Sequence, residues 1–112
     1  VMNKPPSAEE LHQHWLATSR NGGKLVLPNL IGYIKERRAN EERWVGALTG
    51  TPEVPKRFVW GPEDPVSGAH VLPEIRRRVP EADVHVIEGV GHWPQLEDVA
   101  AVAAALRLGP SG

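Results

Sequence analysis

Two short stretches of this 112-residue chain carry side chains whose types and spacing suit acid–base chemistry. One reads Trp60-Gly61-Pro62-Glu63-Asp64-Pro65-Val66, the other Val90-Gly91-His92-Trp93-Pro94-Gln95-Leu96-Glu97. His92 follows a glycine, a residue free to take backbone angles that others avoid, and precedes Trp93 and Pro94, which stiffen the turn. The imidazole is therefore expected to be presented from a constrained loop. The separation between Asp64 and His92 is enough for one helix and a return strand, so the two loops can meet. A carboxylate beside an imidazole fixes its tautomer and stabilises the imidazolium, which leaves the other ring nitrogen to act as a base. Plainer readings exist for each residue. A lone histidine in a turn is a surface residue, and an aspartate before proline is a turn former, with Glu63 as the nearest competing carboxylate. The pairing of the two loops favours the chemical reading.

Elements that would hold these loops are legible on both sides of them. Arg57-Phe58-Val59-Trp60 is an apolar run without polar alternation, the pattern of a buried parallel strand. A loop through Asp64 leads to a helix from about Ala69 to Val79, with Val71, Leu72, Ile75 and Val79 inward and Arg76, Arg77 and Arg78 outward. Pro80-Glu81-Ala82-Asp83 turns the chain into a second strand, Val84-His85-Val86-Ile87. After the His92 loop, Glu97 to Leu108 reads as an alanine-rich helix, and Gly109 to Gly112 as a frayed tail. Open α/β sheets place ligands beyond the carboxyl ends of their strands, where Asp64 and His92 both fall. Two strands do not make a stable parallel sheet. The expectation is an α/β core whose remaining strands come from residues outside this chain.

The first half has a helical rhythm. Ser7-Ala8-Glu9-Glu10 is a capping box, followed by a helix from about Ala8 to Ser19 with Leu11, Trp15 and Leu16 on its inner face. Asn21-Gly22-Gly23 ends it. Pro28 suits a first helical turn, and Leu30, Ile31, Ile34, Trp44, Val45 and Leu48 recur at helical spacing. The polar run from Arg37 to Arg43 interrupts that stripe, which predicts one bent helix or two short ones meeting near Asn40. Gly50 to Pro55 reads as a linker. The expected organisation is a helical segment over residues 1–52 and an α/β core segment over 53–112. Val1 before Met2 is read as a sign that the chain is an internal or C-terminal piece of something longer.

With Val59-Trp60-Gly61-x-x-Asp64-Pro65-Val66 and Gly89-Val90-Gly91-His92-Trp93-Pro94-Gln95-Leu96-Glu97 in view, the chain resembles the C-terminal third of an α/β-hydrolase. The likeness is to the lid-bearing branch of epoxide hydrolases, haloalkane dehalogenases and related esterases. It covers residues 53 to 106 well, and residues 1 to 52 less specifically, as the end of a helical cap. The resemblance implies that Asp64 is the acid and His92 the base of a nucleophile–acid–histidine triad. Trp93, Val66 and Tyr33 are the candidate substrate contacts it suggests. No Gly-x-Ser-x-Gly occurs, so the nucleophile, an aspartate or serine, is expected outside these residues. Glu97 matches a family glutamate, with Val99 where a proline usually follows. Arg37 stands near the place of a cap tyrosine, with Tyr33 a further turn away. The implied activity is hydrolysis of an ester, epoxide or haloalkane through a covalent intermediate; the alternative is a non-catalytic ligand-binding or interaction module on the same fold.

Composition narrows the partners. Thirteen basic and 14 acidic residues leave no field that would recruit nucleic acid or an anionic membrane. Cysteine is absent, which excludes disulfides and thiolate metal sites and fits a reducing, cytoplasmic setting. No apolar run approaches the roughly 20 residues needed to span a bilayer, and the start lacks the apolar stretch of a signal peptide. His12 and His14 face different sides of a helix, so no metal pair is expected, and His70 and His85 read as structural or exposed. Trp15, Trp44 and Tyr33 read first as core of the helical segment. No metal or organic cofactor is implied. The expected partners are the N-terminal half of the same hydrolase and a small-molecule substrate, with self-association through the exposed sheet edge as a further possibility.

Overall fold

The computed structural model describes residues 2–107, so Leu108 and the tail after it lie outside the described residues. The chain divides into two compact units, Pro6–Gly50 and the residues from Thr51 onward, the latter joined by the residues before Pro6. Asn3 and Lys4 thus go with the α/β core and not with the helical segment in which residues 1–52 were expected.

In the helical unit, α1 spans Ala8–Ser19 and begins with the expected capping box. Ser7 Oγ accepts from the Glu10 N–H at 3.2 Å, and Glu10 Oε2 accepts from the Ser7 N–H at 2.7 Å. Asn21 and Gly22, with φ of 51° and 73°, then take the left-handed conformation that closes a helix end. A 3-10 segment, Arg20–Leu25, carries the chain to α2, Leu27–Leu30, which has Pro28 in its first turn, and then to α3, Tyr33–Thr49. No break occurs near Asn40. Helix α3 runs unbroken through it, the Asn40 side chain donating to the Glu36 carbonyl at 2.9 Å, and the interruption lies at Ile31 and Gly32. Polarity governs which face of a helix is wet, whereas Glu and Arg are good helix formers, so a charged run does not end one. The apolar stripes were expected to face inward. Instead Leu11, Trp15, Leu16, Leu30, Ile31, Ile34, Trp44 and Leu48 are exposed and only Val45 is half-buried, because so short a segment has too little material to cover them.

The core unit contains β1, Arg57–Trp60, and β2, Asp83–Val86, paired in parallel with Arg57 opposite Asp83 and Trp60 opposite Val86. Strand β2 starts one residue before the expected position because the Asp83 N–H donates to the Lys56 carbonyl at 2.9 Å. The Ile87 N–H still donates to the Trp60 carbonyl at 2.9 Å, so pairing continues to the point where both site loops leave the sheet. Between the strands, a 3-10 turn over Ala69–Val71 feeds α4, Leu72–Arg78, whose Leu72 is buried and whose last three arginines are exposed. Arg77 and Arg78 pair with Glu74 at 2.6 and 2.5 Å. Beyond the His92 loop, one helix was expected and two are found: α5, Pro94–Glu97, and α6, Val99–Arg107. Asp98 separates them with φ −149°, and its Oδ1 accepts the Ala101 N–H at 2.9 Å, a capping role that favours aspartate. Arg57 joins the sheet to α6 by donating to Asp83 Oδ2 at 2.8 Å and to the Ala105 carbonyl at 2.7 Å. Leu72, Val79, Val90 and Ala105 form the buried apolar centre.

Candidate active site

Both site loops leave the carboxyl ends of adjacent parallel strands, and their backbones are held against each other. The Glu63 N–H donates to the Val90 carbonyl at 3.0 Å. Gly61 makes the approach possible. A Cβ there would stand 2.1 Å from the Gly91 carbonyl oxygen and 2.8 Å from that of Val90, distances no side chain tolerates. Val90, with no exposed surface, anchors its loop from the apolar side. The backbone freedom of glycine is used in this loop at Gly89, whose φ is 73°. Gly91 is buried beneath Gly61.

These constraints bring Asp64 and His92 together. Asp64 Oδ2 lies 2.7 Å from His92 Nδ1. The carboxylate is only 6% exposed, yet it is fully supplied with donors. Its Oδ1 accepts the Val66 N–H at 2.9 Å, and its Oδ2 also accepts the Ser67 hydroxyl at 2.6 Å. Burial by itself pushes the Asp64 pKa up, but the Ser67 hydroxyl, the Val66 amide and His92 together outweigh it and hold the carboxyl far below the usual range. It is therefore ionised and can only accept. Nδ1 of His92 must then carry the proton, which leaves Nε2 as the basic nitrogen. The bond from Val66 back to Asp64 is an Asx turn, so Asp64 is a turn former and an imidazole partner at once.

Asp64, Ser67 and His92 line a cleft of about 120 Å³, together with Trp60, Gly61 and Pro94. The other candidates are placed differently. Trp93 is exposed and meets the His92 ring edge-on, with centroids 5.2 Å apart and planes at 78°. The Val66 side chain is exposed, and its backbone is what reaches the site. Tyr33 is exposed on the helical unit. Glu63 is exposed and contributes its amide, not its carboxylate, to the loop contact. The sequence pattern does not single out Ser67. The available signal was a hydroxyl three residues after an aspartate in a proline-bearing turn, the spacing at which such a side chain can cap a carboxylate.

Glu97 is the second carboxylate of the site region, and unlike Asp64 it is held by backbone donors. Its Oε1 accepts the Trp93 N–H at 3.1 Å, and its Oε2 accepts those of Gly91, Asn3 and Lys4 at 3.0, 2.8 and 2.8 Å. Burial raises its pKa, and these four amides lower it further than burial raises it. Among the described residues no group of three His, Cys, Asp or Glu side chains is disposed to hold a metal ion. None of the described helices is long and apolar enough to cross a membrane.

Comparison with known proteins gives the family. A family model described as the alpha/beta hydrolase family matches residues 2–105. A Mycobacterium tuberculosis protein named "Putative hydrolase LipZ" is 41% identical over 105 residues, covering 93% of this chain and 36% of that protein. The human mesoderm-specific transcript homolog protein is 38% identical over 95 residues, covering 83% of this chain and 28% of its own length. The chain thus spans about a third of the curated relatives it matches. No solved structure gives a significant match.

Proposed function

The chain belongs to the α/β-hydrolase family, and from that premise we propose that Asp64 and His92 are the acid and base of a nucleophile–acid–histidine triad. The nucleophile comes from a segment outside these residues. The observation that carries the reading is the 2.7 Å bond from His92 Nδ1 to an ionised, buried Asp64 at the carboxyl ends of two parallel strands. Family order places the nucleophile before both, and the strands that would present it are the natural neighbours of β1.

The substrate class is an ester, an epoxide or a haloalkane, cleaved through a covalent ester on the enzyme. With a serine nucleophile, His92 Nε2 takes the hydroxyl proton as the serine oxygen bonds to the carbonyl carbon, then gives that proton to the departing alcohol. With an aspartate, the carboxylate bonds to carbon and either displaces halide or breaks the epoxide C–O bond, the freed oxygen taking a proton from solvent. In both cases Nε2 then takes a proton from water as its oxygen attacks the ester carbonyl carbon, and returns that proton to the departing oxygen. That oxygen is the serine oxygen in the first case and the product's alcohol oxygen in the second, so that product is released and nucleophile and imidazole are restored. Asp64 stabilises the imidazolium formed at each proton transfer. The helical unit, residues 6–50, is read as a segment of a helical cap.

The test uses the full-length protein with p-nitrophenyl butyrate, styrene oxide and 1-bromobutane as probes. Turnover of at least one is expected, with His92→Ala lowering kcat by on the order of 10^4. Near wild-type turnover in that variant would overturn the assignment. Preference among the three probes reports the nucleophile, the ester favouring serine and the other two aspartate.

A further inference from the structure

Glu97 does more than end a short helix. One helix cap satisfies one or two backbone donors, whereas this single carboxylate accepts four, from two segments at opposite ends of the chain. Two of the four, the amides of Gly91 and Trp93, flank His92 on either side. The other two belong to Asn3 and Lys4, the strap that precedes α1. Asn3 adds a second tie, its side-chain amide donating to the Gly89 carbonyl at 2.8 Å. The His92 loop is therefore gripped from both sides of the histidine, and the strap and the loop share one acceptor.

We propose that Glu97 is a positioning residue for His92, and that the Asn3–Lys4 strap is part of the same clamp. This rests on the reading of His92 as the base. Without the carboxylate, the amides of Gly91 and Trp93 lose their acceptor and must turn toward water, which they can do only by moving the loop that carries the imidazole. The bond from Nδ1 to Asp64 fixes one end of the ring, but the direction of Nε2 depends on the backbone on both sides of His92. A displacement of about 1 Å at a reacting atom can cost about 10²-fold in rate. Glu97 touches neither substrate nor imidazole, so its loss is felt in kcat and little in KM.

The experiment uses the full-length protein and begins with the wild type. Amide hydrogen exchange at Gly91, Trp93, Asn3 and Lys4 is expected to be slowed well below the rate of unprotected amides, and free exchange at Gly91 and Trp93 overturns the clamp without any variant. Glu97→Gln keeps the size but loses the charge and half the acceptors. With p-nitrophenyl butyrate it should lower kcat by about 10- to 100-fold, leave KM within about threefold and weaken the low-field Nδ1 proton signal of His92, while thermal unfolding shows the fold intact. Wild-type kcat with an unchanged His92 signal overturns the proposal. Lys4→Pro removes one donor from the strap and leaves Glu97 in place. It should speed exchange at Gly91 and Trp93, and unchanged exchange there removes the strap from the clamp. If His92→Ala keeps its activity the triad reading falls, whereas an inactive His92→Ala beside a fully active Glu97→Gln defeats the clamp alone. Should no probe be turned over, the exchange rates and the His92 signal decide.

Discussion

At the scale of residues, the site is an aspartate held in its ionised form next to a histidine whose tautomer that charge selects. Ser67, Val66 and His92 supply Asp64 with three donors in a buried setting, and an acceptor so placed directs the proton to Nδ1. Asp64→Asn offers an amide in place of the carboxylate, which lets the ring take the wrong tautomer. It is expected to lower kcat by on the order of 10^4 in the full-length enzyme with little change in fold, as read by steady-state kinetics and circular dichroism. Ser67→Ala removes the strongest of the opposing hydrogen bonds and leaves the burial. The Asp64 carboxyl should then titrate closer to its ordinary value of 3.8, which carboxyl carbon NMR can follow, and an unmoved titration would show that Ser67 does not hold the charge. Asp64 and His92 were both legible in the sequence because their types and loop positions are local facts. Ser67 was not, because the direction of its hydroxyl depends on the turn around it.

At the scale of elements, the two loops meet because the strands are paired in register and because Gly61 has no side chain. Gly61→Ala places a carbon where the Gly91 carbonyl oxygen already is, so the backbones must part. The expected cost is about 2–3 kcal/mol or more, seen as a lower urea midpoint, with activity falling further than stability because Asp64 and His92 separate. Asp98→Ala tests a smaller element. It should destabilise α6 by about 1 kcal/mol through loss of its cap, and leave the His92–Asp64 bond unaffected. The sequence reading starts the last helix at Glu97 and leaves Pro94 to Leu96 in the His92 loop, whereas those residues form α5 and the last helix starts only after Asp98, at a side-chain cap visible only in three dimensions. Near Asn40, where the sequence predicts one bent helix or two short ones, α3 runs on as one helix, because the polar run changes which face is wet and not where the helix ends.

At the scale of the molecule, the carboxylates set the response to acid. Asp64, Glu97 and Glu74 all have lowered pKa values in the folded chain, Glu74 from 4.5 to about 2 beside Arg77 and Arg78. Unfolded, these groups take up protons near their ordinary values of about 4, while folded they remain ionised to lower pH. Acid therefore favours the unfolded chain. Their contribution is complete above about pH 5 and is lost as pH falls toward 2, with the exposed Glu74 adding little because solvent screens it. Urea midpoints taken from pH 7 to pH 3 should be level at first and then decline, and a midpoint that rises below pH 5 would contradict the linkage. The same three carboxylates differ in what they protect: Asp64 the tautomer, Glu97 the loop, Glu74 only the end of α4.

The sequence alone determined the α/β class, both strands to within a residue, the capping box at Ser7, and the pairing of an aspartate loop with a histidine loop. These rest on local rules of periodicity, capping and turn chemistry, which a single chain carries in its own order. Tertiary structure decided that a serine and a backbone amide keep Asp64 ionised, that Gly61 opens the space for Gly91, and that Glu97 joins the His92 loop to Asn3 and Lys4. Those are contacts between atoms far apart in sequence or aimed by a fold, and no spacing of residue types encodes the direction in which a hydroxyl, a carbonyl or an amide will point.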